Sequence, residues 1–339
     1  MGVRHLRQRL FPDETNPTLI KTYPVRPRLP VRIFFPKSYD RTSPQQLPLL
    51  FSIHGGGFVL GEPSDNDPWN SSFSEKHKAL VVALHYAKAP ANHYPGPRVD
   101  LEALIAAVFA DQELAAHINP DKVGITGFSA GGNLALTVSE VPAVRDRITA
   151  GVVPIYPVTD FATSPDAKRA TRRYKPKLLG SRASEKDPLH GIAALFDWAY
   201  IPVGQDLRDP LLSPLYAERA SLPRRIWVIG CELDMLGHEG LRTACRLAGK
   251  PEPGMDQRIG QEELAAGGAL GTLITEGDER FTWEVKDQHG EVKWLCVPDA
   301  GHGFDMDGGL GADKEAAEDG RLKREALVER TGVWLFGES

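Results

Sequence analysis

Apolar residues in this chain gather into short continuous runs, separated by stretches with helical spacing or turn-rich composition. Leu49–Ile53, Ala79–Tyr86, Lys122–Thr126, Ala150–Tyr156, Arg225–Gly230 and Lys293–Val297 read as strands of the kind a buried parallel sheet requires. Val31–Phe35 alternates and is stopped by Pro36. Ser71–Lys78, Asp100–Ala116 (closed by Asn119-Pro120) and Ala130–Ser139 read as helices lying between them. Strands alternating with helices predict a mainly parallel sheet built from βαβ units. Two stretches break the rhythm. Thr159–Gln205 is rich in Lys, Arg and aromatics; Gly249–Gly290 carries Gly, Glu and Asp throughout and runs into a predicted hairpin over Phe281–Val297, turning on His289-Gly290. Segments this long are lids, insertions or disordered segments. Residues 1–30 hold Pro12, Pro17, Pro24, Pro27 and Pro30 and leave little room for regular helix.

Composition narrows the class. At 339 residues the chain has room for one or two domains. A balance of 40 Lys+Arg against 45 Asp+Glu excludes a generally basic nucleic-acid binder and gives no reason to expect an anionic membrane as partner. Cys231, Cys245 and Cys296 are too few and too scattered for a disulfide framework or a zinc site. The N-terminus lacks the apolar core of a secretory signal, and Leu6 stands where a myristoylation pattern wants Ser or Thr. No apolar run is long enough to span a bilayer. The expectation is a cytoplasmic protein without stable membrane association, in which the Asn70-Ser-Ser sequon is idle.

The sharpest chemical signal is Gly127-Phe128-Ser129-Ala130-Gly131, directly after a predicted strand and directly before a predicted helix. A serine on so tight a turn needs neighbours without side chains, and Gly127, Gly131 and Gly132 meet that demand. The competing reading is a glycine-rich turn that cradles phosphate. The second signal is His54-Gly55-Gly56-Gly57, whose consecutive glycines let backbone N–H groups face a shared cavity. The N–H groups of Gly55, Gly56 and Ala130 would together form an oxyanion hole. His54 precedes the serine and is read as a structural residue that holds this loop. An acid and then a base should follow late strands: Asp234 follows the run ending at Gly230, and His302 follows the run ending at Val297. Alone, each is an ordinary loop residue; in this order they point to a Ser129–His302–Asp234 triad.

With these motifs, and with Tyr156-Pro-Val158, Asp209-Pro-Leu-Leu-Ser-Pro214 and Asp234-Met-Leu-Gly-His-Glu-Gly240, the chain resembles the hormone-sensitive-lipase family of α/β-hydrolase carboxylesterases, and its fungal members in particular. The resemblance implies a single α/β-hydrolase domain over 1–339, with a mostly parallel sheet, helices on both faces and a small helical cap. The cap would be discontinuous, from residues 1–30 and about 159–210, with an insertion at about 249–290. Tyr174, Leu195, Phe196, Trp198 and Tyr200 become candidates for the substrate pocket. The chain departs from the family at Phe128, where Asp or Thr is common, at Tyr86-Ala-Lys-Ala-Pro90 in place of Tyr-Arg-Leu-Ala-Pro, and at His238 in place of Asp. The implied activity is hydrolysis of small to medium soluble carboxylic esters through an acyl-enzyme on Ser129. The partner is then a small-molecule ester, with no nucleic acid, and a homodimer is left open. The alternatives are a cyclase, lyase or acyltransferase of secondary metabolism, an amidase or peptidase, and a non-catalytic ligand receptor.

Overall fold

The computed structural model describes residues 15–306 and 313–338. Its strands are β1 (Leu19–Lys21), β2 (Val31–Phe34), β3 (Leu47–Ile53), β4 (Leu80–Leu84), β5 (Ile118–Phe128), β6 (Gly151–Ile155), β7 (Arg225–Cys231), β8 (Thr282–Asp287) and β9 (Gly290–Val297). They form one sheet in the order β1-β2-β4-β3-β5-β6-β7-β9-β8. From β4 to β9 all neighbours run parallel; β1, β2 and β8 add antiparallel edges. Each of the six apolar runs supplies a parallel strand, and β4 and β6 are buried along their whole length.

The principal helices are α1 (Asp67–His77), α2 (Gly96–Ala110), α3 (Ala130–Ser139), α4 (Pro165–Thr171), α5 (His190–Tyr200), α6 (Gly237–Leu247) and α7 (Lys314–Phe336). Trp69 and Phe73 of α1 join Leu327 and Val328 of α7 in the core on one sheet face. Leu101 and Leu104 of α2, Leu134 of α3 and Ala244 of α6 fill the core on the other. Each such leucine, valine or phenylalanine contributes ~1.5–3 kcal/mol by leaving water.

Several boundaries differ from the sequence reading. α1 starts at Asp67, with Pro68 accommodated in its first turn, where a missing N–H costs nothing. α2 runs from Gly96 to Ala110, and the Asp111 side chain then accepts the Glu113 N–H to open a separate short turn. The hairpin places Asp287 opposite Gly290, so the chain reverses on Gln288-His289.

The insertion after β6, read from the sequence as the larger part of a cap, carries α4 and α5. Of the N-terminal segment expected to share that role, residues 1–14 lie outside the described residues. The remainder takes another place: β1 pairs with β2, the Tyr23 hydroxyl donates to Asp111 at 2.8 Å and Arg26 pairs with Asp100. Residues 15–30 therefore seal the sheet edge.

Candidate active site

β5 ends at Phe128 and α3 begins at Ala130, leaving Ser129 alone in the turn with φ 55° and ψ −118°. For a residue with a side chain this conformation costs ~1–3 kcal/mol and survives only where its surroundings enforce it. The enforcement is glycine packing. A Cβ on residue 127 would lie 2.0 Å from the Gly131 carbonyl oxygen, and one on residue 131 would lie 2.2 Å from that of Ile53. The Ser129 N–H donates to the Ile155 carbonyl at 2.9 Å, tying the turn to β6.

The Ser129 Oγ sits 2.8 Å from Nε2 of His302, whose Nδ1 lies 2.7 Å from Asp234 Oδ2. These partners assign the proton to Nδ1, so Nε2 is free to accept from the serine hydroxyl. The other Asp234 oxygen accepts the Leu236 N–H at 2.9 Å, which fixes the carboxylate. Burial opposes the charged form of His302, but Asp234, aided by Asp187 and Asp305, outweighs it and raises the imidazole above its ordinary value. Tyr156 packs edge-on against His302 at 4.8 Å and donates its hydroxyl to Asp305 at 2.6 Å.

The glycine loop lies against the serine: a Cβ on Gly55 would come 3.4 Å from that of Ser129. Gly56 and Gly57, at φ 109° and 59°, hold conformations that only glycine takes easily. The Ala130 N–H, in the first turn of α3, has no acceptor within its own helix. The glycine loop and the start of α3 thus meet beside Ser129. Behind them His54 is buried, its Nδ1–H donating to the Gly55 carbonyl and its Nε2 accepting from Lys88 at 2.9 Å. Burial first, then the neighbouring Lys88 and His85, hold its pKa well below the usual value, so it stays neutral and braces the loop. Burial also lowers Lys88, to about 7. The departures from the family pattern are thereby placed. Lys88 serves His54, Phe128 turns into the core against Trp69, and His238 lies 3.0 Å from the Gly254 carbonyl and anchors the start of the 249–290 insertion.

A cavity of about 40 Å³ opens beside Ser129, lined by Gly57, Phe58, Val158, Phe161, Leu189, Ala193, Phe196, Met235 and Leu236, with Pro165, Lys168 and Asp197 from the cap. Of the aromatic and aliphatic candidates named from sequence, Phe196 lines it. Tyr200 stacks on Phe58 beneath the cavity, Trp198 is 73% exposed, Leu195 is exposed, and Tyr174 donates to Glu185.

Sequence reasoning missed the braces beneath the triad. The Lys175 ammonium contacts Glu232 at 2.8 Å and Asp299 at 2.5 Å. Those carboxylates sit on the loops that carry Asp234 and His302. Glu232 also accepts the N–H of Gln261 and of Asp299, and Asp299 accepts that of Ala265. Arg172 donates to the Leu233 carbonyl, while its partner Asp187 accepts the Met235 N–H. The cap and the 249–290 insertion thus grip the acid loop from both sides. No local spacing signals such a strut, because each contact joins residues far apart in sequence.

A family described as alpha/beta hydrolase fold matches residues 50–254. The chain belongs to this family. It is 31% identical over 236 residues to an arylesterase of Saccharolobus solfataricus, spanning 68% of this chain and 70% of that one. Hormone-sensitive lipase of Bos taurus is 32% identical over 146 residues, 41% of this chain and 19% of the lipase. Among solved structures, the hyperthermophilic esterase of Pyrobaculum calidifontis superposes with a TM-score of 0.64 at 21% identity, covering 98% and 95% of the two chains, and establishes likeness of fold. Among the described residues no group of three or more His, Cys, Asp or Glu is placed to hold a metal ion, and no helix is long and apolar enough to cross a membrane.

Proposed function

We propose that this alpha/beta hydrolase is a serine carboxylic-ester hydrolase working through an acyl-enzyme on Ser129. The observation that carries the reading is the continuous hydrogen-bond chain Ser129–His302–Asp234 at the wall of a mainly apolar cavity. His302 takes the Ser129 proton as Oγ attacks the ester carbonyl. Asp234 holds the imidazole in the required tautomer and stabilises its positive charge. The oxyanion that forms is met by the N–H groups of Gly55, Gly56 and Ala130, each worth ~3 kcal/mol in the transition state. His302 then returns the proton to the leaving alcohol, and water activated by the same imidazole releases the acid. The chemistry calls for neither metal nor cofactor.

The cavity is small, about 40 Å³, and partly open, so only a small portion of the ester is enclosed beside Ser129. This favours short acyl or alcohol groups over long lipid chains. All three cysteines are free and buried, in keeping with a cytoplasmic enzyme. The test is an active-site phosphonate together with naphthyl esters of graded acyl length. Labelling at Ser129 and turnover that falls as the acyl chain grows are the expected results; hydrolysis by Ser129→Ala at the parental rate would overturn the mechanism. Product analysis with labelled water separates hydrolysis from transfer to another acceptor.

A further inference from the structure

The cavity beside Ser129 is walled mainly by apolar side chains, yet it also presents two charged groups from the cap, Lys168 of α4 and Asp197 of α5. They differ in how they are used. Lys168 is already engaged, its ammonium 2.7 Å from Glu239, which in turn accepts the Thr159 N–H. The nearby Asp160 is matched by Arg242 at 3.2 Å and by the Thr163 hydroxyl. Asp197 is half-buried, faces the cavity, and its carboxylate has no hydrogen-bond or ion-pair partner among the described residues. A carboxylate drawn out of water and left unmatched is costly, and one placed in a substrate pocket is matched when the substrate arrives.

We infer that Asp197 sets the substrate class of this site by accepting a hydrogen bond from a hydroxyl or amino group on the buried portion of the ester. The inference rests on the ester-hydrolase reading above and specifies its substrate: a short ester whose buried part carries a hydrogen-bond donor. A plain alkyl group of the same length fills the apolar wall but leaves the carboxylate dry and unpaired. Sites built to bond a substrate O–H or N–H discriminate strongly against analogues that lack it. Lys168, Glu239 and Asp197 set two carboxyls against one ammonium, and because burial raises Glu239 to about 7 the negative surplus is complete above that pH. Substrates ending in a second carboxylate are therefore rejected, and those ending in an ammonium are accepted.

The experiment compares naphthyl esters of butyric, 3-hydroxybutyric and 3-aminobutyric acid and the succinate half-ester, using the full chain, Asp197→Leu and Asp197→Asn. The readout is the ratio of kcat/KM for each substituted ester to that for butyrate, in which any loss of folded enzyme cancels. The parent is expected to favour at least one donor-bearing ester by about tenfold or more and to handle the half-ester worst. Asp197→Leu brings these ratios close to one. Asp197→Asn, which still accepts a hydrogen bond, keeps the hydroxyl preference and loses that for the amine. Equal ratios in the parent, or ratios that Asp197→Leu leaves within twofold, overturn the inference. If the phosphonate still labels Ser129 in that case, the ester-hydrolase reading stands; if it leaves Ser129 unlabelled and every ester intact, both fall together.

Discussion

Replacing Lys175 by methionine keeps most of the side-chain volume and removes a charge shared by two loops of the site. The side chains of Lys175 and Glu232 are 1% and 0% exposed, so the abandoned carboxylate cannot turn to water. Deleting one partner of a buried pair costs ~3–5 kcal/mol. The upper part of that range applies here, because Asp299 loses its counter-charge as well. Backbone donors from Gln261, Asp299 and Ala265 keep the loss within it. The deficit should also depend on pH. Burial already raises the Glu232 carboxyl, with Lys175 opposing, and removing the lysine raises it further. A carboxyl whose folded pKa exceeds its unfolded one costs stability only while it is ionised. The deficit is therefore full near pH 8 and shrinks as pH falls through the new Glu232 value. Urea unfolding at about pH 8 and about pH 5.5 reads both effects. A loss below ~1 kcal/mol near pH 8, or one that grows on acidification, would refute the reasoning.

Asp234→Asn leaves the geometry in place but favours the wrong imidazole tautomer, and kcat should fall by roughly 10⁴ in steady-state assays. Because His302 is raised and must be neutral to act, kcat/KM should climb with pH through a midpoint above 6.5, while the stability lent by the Asp234–His302 pair is full at acid pH and fades over the same interval. Asp234→Asn should lower the activity midpoint; a profile flat from about pH 5 to 8 would contradict the assignment. Ser129→Gly should abolish turnover and yet raise Tm by about 1–2 °C, since glycine accepts φ 55° without strain. Gly131→Ala places a methyl 2.2 Å from the Ile53 carbonyl and should cost about 3 kcal/mol by denaturant titration, with loss of phosphonate labelling.

Much of the sheet, and the residues that meet in the Ser129–His302–Asp234 hydrogen-bond chain, were legible because their signals are local. Buried parallel strands announce themselves as apolar runs, and a serine elbow demands glycines at fixed offsets. Elements stabilised by distant partners were not. β1 is a three-residue Leu-Ile-Lys edge with no periodicity to detect. α7 hides its inward face behind charge: Asp319, Lys323 and Arg324 are buried in it because Lys323 pairs with Asp319 and the Pro298 carbonyl, and Arg324 donates to the Asp305 carbonyl. The pocket was only partly legible for a related reason. Side chains of α5 alternate between solvent, cavity and core, and an aromatic in sequence does not say which it faces. Trp198 and Tyr200, two positions apart, ended on opposite sides of that choice.

The grip of Lys175 and Arg172 on the loops of Asp234 and His302 bears on how this enzyme can be recombined or evolved. A cap joined to the sheet domain beneath it only by apolar packing can be exchanged as a module, with specificity and turnover varied separately. Here the heritable unit is larger: it comprises the 159–210 insertion, Glu232, Asp299 and the 249–290 segment together. A chimera that imports a foreign cap without those acidic residues and their backbone donors would inherit a new pocket and a misaligned acid. Selection acting on substrate range through this cap is thus coupled to selection on rate, and productive changes are confined to its cavity-facing positions.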